Sequence, residues 1–164
     1  MKPRHCIASS IASSIASPGA APVALALALT LGAAAAQASA ALPPIQHSGQ
    51  AAYTSGGVGA DEADAMQRAS SHWPLTLEFA VQEASPARAA YAADVSVDVR
   101  NAQGHTALQT VSNGPFMLAQ LPPGRYTITA TLDGKSLHET ATVTPHHATK
   151  ATFVWPKGVD GVRS

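Results

Sequence analysis

Asn113-Gly114-Pro115-Phe116-Met117-Leu118-Ala119-Gln120-Leu121-Pro122-Pro123-Gly124-Arg125-Tyr126-Thr127-Ile128-Thr129-Ala130 is the stretch that decides the fold. It reads as a short strand, a tight Pro-Pro-Gly corner and a longer strand. From Tyr126 onward the residues alternate. Tyr126, Ile128, Ala130 and Leu132 fall on one face, and Thr127, Thr129 and Thr131 on the other. A period of two marks a strand with one face buried.

Working outward, the same period recurs on both sides. Downstream, Asp133-Gly134 is a two-residue hairpin signal, and Leu137 to Thr144 is the returning arm. Pro145-His146-His147 makes a corner, and Thr149 to Trp155 is a last strand with Ala151, Phe153 and Trp155 on one face. Upstream, Leu75, Leu77, Phe79 and Val81 alternate with polar or small residues, as do Val95, Val97 and Val99. Asn101-Ala102-Gln103-Gly104 is a turn, with Gly104 free to take positive φ, and His105 to Val111 pairs back. About seven strands with turns every eight to twelve residues predict a mainly β fold, a seven-stranded antiparallel β-sandwich. The two apolar sheet faces bury best against each other.

Before the first long strand, Ser55-Gly56-Gly57-Val58-Gly59-Ala60 is a glycine loop, followed by Asp61, Glu62 and Asp64. Asp61 suits an N-cap, and acids suit a first helical turn. A helix over residues 61–71 is expected, with a thin apolar face of Ala63, Met66 and Ala69 that would lie on or beside a sheet. The loop is not a phosphate cradle. It lacks the Gly-Lys-Ser/Thr of a P-loop, the third glycine of a dinucleotide fingerprint is replaced by Glu62, and acids there repel phosphate.

The first forty residues carry Lys2, Arg4 and His5, an apolar run from Val23 to Ala36, and Ala38-Ser39-Ala40. This is the pattern of a secretory signal peptide. At about fourteen residues the run is shorter than a bilayer span needs. Residues 1–40 are therefore read as a signal peptide, 41–52 as a linker, 53–83 as a helix–strand lead-in, 84–156 as the sandwich and 157–164 as a tail. Cleavage would place the chain in the periplasm or outside the cell, with no membrane span left.

The one cysteine, Cys6, lies inside the signal, so the processed chain has no disulfide although its compartment allows one. Processing leaves 124 residues, enough for an unstapled core. The formal charge of zero supplies no basic surface for nucleic acid.

Residues 91–155 resemble the carboxypeptidase regulatory-like domain, a small transthyretin-like (prealbumin-like), carbohydrate-binding-like sandwich found in small exported bacterial proteins. The residues that carry the resemblance are Asn101-Ala102-Gln103-Gly104, Gly114-Pro115-Phe116, Leu121-Pro122-Pro123-Gly124-Arg125-Tyr126 and Asp133-Gly134-Lys135. It implies a structural role for Gly114, Phe116, Leu121, Pro122, Pro123, Gly124 and Tyr126, with the Phe116 and Tyr126 rings filling the core. It does not imply peptidase activity. In the metallocarboxypeptidases the zinc lies in a separate domain, and no His-x-x-Glu occurs here.

Chemistry-bearing patterns are sparse. The processed chain has neither a cysteine nor a Gly-x-Ser-x-Gly, and its threonines suit an outward strand face. No catalytic residue and no cofactor is expected, and the chain is read as a non-enzyme. Three binding readings stay open. The first is a binding or scaffolding module in the cell envelope that presents sheet edges to a protein partner. The second is a carbohydrate-binding module using Trp73, Tyr53 and Tyr91 as stacking platforms, with Trp155 the safer choice for core packing. The third is metal binding by His146 and His147, with His138 and His105 as further donors. A partner would be an envelope protein or a polysaccharide, not nucleic acid.

Overall fold

The computed structural model describes residues 41–83 and 89–158. The proposed signal peptide, residues 84–88 and most of the tail lie outside them. The described chain runs β1 (Gln46–Ser48), β2 (Ala51–Gly56), α1 (Ala60–Ala69), a 3-10 turn (Ser70–His72), β3 (Leu75–Gln82), β4 (Ala89–Tyr91), β5 (Val95–Asn101), β6 (Thr106–Ser112), β7 (Phe116–Gln120), β8 (Gly124–Leu132), β9 (Lys135–Val143) and β10 (Thr149–Trp155). Among the described residues no helix is long and apolar enough to cross a membrane.

The strands form two sheets. Sheet A has the order β1-β2-β7-β3-β10, with β4 on β3; sheet B has the order β6-β5-β8-β9. The two enclose one core, to which β3 contributes Leu75, Leu77, Phe79 and Val81, β10 Phe153 and Trp155, β5 three valines, and β8 Tyr126, Ile128, Ala130 and Leu132. Three differences from the sequence reading matter. There are ten strands among the described residues. One pair, β3 with β10, is parallel, from Leu75↔Thr149 to Val81↔Trp155. The supposed linker and lead-in are parts of sheet A, because β1 and β2 form a hairpin and β3 lies between β7 and β10.

Sheet B behaves as its sequence reads. Tyr126, Ile128, Ala130 and Leu132 of β8 are buried, while Arg125 and Thr127 are exposed and Thr129 is half-buried. The turn at Asn101 has a local cause: its Oδ1 accepts from the Gln103 and His105 amides, and its carbonyl from Gly104. At the β8–β9 hairpin, Asp133 and Gly134 take φ of 45° and 75°, the left-handed pair that a two-residue turn requires.

Sheet A is covered on both faces. The outer face carries α1, and Ala63 and Met66 pack on Phe116 and Leu118 in a second cluster, flanked by Ala69 and Trp73. Phe116 therefore does not fill the core between the sheets, as the resemblance implied; it fills the space under the helix. The helix starts from Gly59 rather than Asp61, and no side chain caps it. Glu62 instead reaches back to accept the Gly57 amide at 2.9 Å. Thr76, on the same outer face, is buried with an unpartnered Oγ1. Thr76→Val, which keeps the shape and removes the orphan hydroxyl, is expected to raise stability by about 1 kcal/mol, read from the urea midpoint.

Both seams between the sheets are stitched by side chains. Ser48 Oγ donates to the Gln109 carbonyl (2.8 Å) and accepts the Gln109 amide (3.3 Å). At the other seam Thr149 Oγ1 donates to the Thr142 carbonyl, and Trp155 Nε1 to the Lys135 carbonyl, each at 2.9 Å. These bonds occupy edge carbonyls that an added strand would need.

Candidate functional site

The Pro-Pro-Gly corner passes the chain from β7 in sheet A to β8 in sheet B. Tyr126 locks it, donating from its hydroxyl to the Pro122 carbonyl at 2.8 Å. Burial pushes the phenol's pKa above its ordinary value of about 10. The unfolded chain would lose this proton near pH 10 while the folded chain keeps it. The associated stability is therefore complete below pH 10 and is lost as pH rises through the folded-state value. Tyr126→Phe is expected to cost about 1 kcal/mol at neutral pH and to flatten this alkaline loss. Melts from pH 8 to 11 check both.

Recesses open on either side of the corner. The first, of about 340 Å³, is lined by residues that include His72, Trp73, Gln120, Pro123, His146 and His147. The second, of about 370 Å³, lies by Pro122, Tyr126, Asn101 and His105. Leu121 lines both.

Strand pairing explains how distant segments meet at the first recess. Leu75 pairs with Ala119 on one side and Thr149 on the other. Thr149 also donates its amide to the Pro74 carbonyl at 2.9 Å. The residues just before β3 (His72, Trp73) therefore lie beside the last residue of β7 (Gln120) and those just before β10 (His146, His147). The recess thus joins the lead-in, the corner and the β9–β10 turn. One side of Trp73 packs on the cluster under α1, leaving the residue half-buried.

The β9–β10 turn has an uncommon backbone. His147 donates its amide to Thr144 at 3.4 Å, closing a four-residue turn with Pro145 second and His146 third. His146 has φ 63°, where such a turn ordinarily carries glycine or asparagine. Holding a non-glycine residue there costs about 1 kcal/mol. His146→Gly is therefore expected to keep the fold and to leave stability unchanged or raise it by up to about 1 kcal/mol; a melting curve decides.

The remaining sequence-selected residues go elsewhere. Tyr53 is 5% exposed, inside the core between the sheets. Its hydroxyl donates to Gln46 Oε1 (2.9 Å), and Thr110 Oγ1 lies 2.7 Å away. It therefore presents no open ring for stacking, because β2 is a buried strand of sheet A and not the fringe of a linker. Tyr91 is 51% exposed and meets Phe116 edge-on, with ring centroids 5.3 Å apart. It pairs with Ala80, at the far end of β3 from Trp73, roughly 20 Å along the strand. Trp155 is fully buried. Its ring centroid lies 6.4 Å from that of Phe79 and 6.3 Å from that of Phe153.

His138 bonds Thr129 through Nδ1 at 3.0 Å on the outer face of sheet B, and His105 lines the second recess; neither joins His146 and His147. Among the described residues no group of three or more His, Cys, Asp or Glu side chains could hold a metal ion. Gln120 and His72 are the site residues that sequence reasoning missed. Their only sequence signal is position, at the end of a strand and beside Trp73.

No protein-family model matches the chain, and no curated protein matches it.

Proposed function

We propose that the two sheets form a β-sandwich of the carboxypeptidase regulatory-like, prealbumin-like type. We further propose that the chain is an exported, non-enzymatic binding or scaffolding module of the cell envelope, with its ligand site in the recess beside Trp73. One observation carries this reading. Trp73 and the His146–His147 pair, more than seventy positions apart in sequence, line one recess whose wall is the Pro-Pro-Gly corner. Its volume, about 340 Å³, lies at the lower end of the range for small-ligand sites. A half-buried indole with a polar rim suits a saccharide better than an added strand, since the stitched seams leave fewer edge carbonyls free.

The two tryptophans make the test. Solubilised envelope polysaccharide is titrated into 15N-labelled processed protein. The Trp73 indole N–H resonance is expected to move, while that of Trp155, bonded to Lys135 O, stays fixed. Movement of neither, or equal movement of both, contradicts the proposal.

A further inference from the structure

We infer that the recess beside Trp73 takes a small acidic saccharide, a uronic acid unit, and holds it more tightly in mildly acidic solution. The inference rests on the proposed binding role and adds the charge of the ligand and the control of its binding. Its basis is the ionisable content of the lining. The 3-10 turn contributes His72, and the β9–β10 turn contributes His146 and His147. The end of β7, the Pro-Pro-Gly corner and the remaining lining residues contribute no Asp, Glu, Lys or Arg. Imidazole is the one side chain whose ordinary titration falls between pH 5 and 8. The lining thus brings three imidazoles together with no carboxylate that would cancel positive charge on them.

The other features of the recess fix the rest of the ligand. The indole of Trp73 offers a flat apolar surface, which sugar rings stack on. The volume, about 340 Å³, is that of a small-ligand site. Gln120 adds an amide that can both donate and accept, as hydroxyls require. The left-handed backbone at His146 points the same way, because the turn keeps an imidazole where glycine would cost less.

A sugar carboxylate ionises near pH 3.5 and stays charged throughout the range tested, so any pH dependence of binding belongs to the protein. The probes are α-1,4-digalacturonate and its neutral counterpart α-1,4-galactobiose, titrated calorimetrically into the processed protein at pH 5.5 and pH 8. The indole N–H resonance of Trp73 is followed in parallel. Digalacturonate is expected to bind at least tenfold more tightly at pH 5.5 than at pH 8, and galactobiose equally at both. His146→Gly, which suits its turn, is expected to reduce the pH ratio. Adding His72→Gln and His147→Gln should bring it within twofold. Equal binding of the two sugars at pH 5.5, or a pH ratio that survives the triple variant, overturns the inference and leaves the recess a neutral sugar site. Absence of any shift at Trp73 with either sugar to 10 mM overturns both the inference and the binding role beneath it.

Discussion

Gly114→Ala should lower stability by about 3 kcal/mol or more, a large part of what a domain this size has. At Gly114 a Cβ would lie 2.5 Å from the carbonyl carbon of Gly56 and closer still to its oxygen. The obstacle is main chain, so no side chain can turn aside to relieve it. The Gly56 backbone is itself fixed, since Gly56 pairs with Phe116 at the end of β2. A Cβ on Gly56 would in turn strike Glu62 and Pro43. Gly57 follows with φ 93° and lies against the Phe116 ring. The glycine loop and the Gly-Pro-Phe turn are thus two halves of one close contact, which seats the helix entry on sheet A. Gly59 is the control, because its Cβ position meets nothing within 4 Å. Gly59→Ser should leave stability unchanged or raise it slightly, as a capping residue. Urea unfolding of both variants checks the pair; equal midpoints would mean that the close approach is not there.

Trp155→Ala should cost about 3–5 kcal/mol, the range for a large buried aromatic. The indole is fully buried between Phe79, Phe153 and the β9 edge, and its N–H closes the seam at Lys135. Truncation removes packing, leaves a cavity and unpairs a carbonyl together. Trp73→Ala should cost clearly less, about 1–2 kcal/mol, because that residue is only half-buried. Thermal or denaturant unfolding of the two variants gives the comparison. If Trp73→Ala cost as much as Trp155→Ala, Trp73 would be a core residue and the recess would lose its platform.

Legibility followed the number of buried faces. In sheet B one face is open, so alternation named the inward residues of β5 and β8 correctly, and the Asn101 and Asp133-Gly134 turns followed from local chemistry. In sheet A the helix covers the second face. There Phe116, Met117, Leu118 and Ala119 are all buried, and a strand buried on both faces has no period to read. The same cause hid Tyr53, in a strand with almost no exposed residue. The parallel pairing of β3 with β10 joins segments about seventy residues apart, and short-range patterns carry no information on such a partner. The site was legible as single residues, Trp73 and the two histidines. Their meeting was not, because it depends on that long-range pairing.

Within residues 51–82, β2 and β3 are interior strands of sheet A, and not an appendage to a domain that begins near residue 84. Native-state hydrogen exchange of the protein tests this most directly. The amides of Leu77 and Phe79 are expected to exchange only through global unfolding, at the rate of Ile128 and Ala130 in β8. Exchange of β3 at a markedly lower free energy, with β8 still protected, would contradict it.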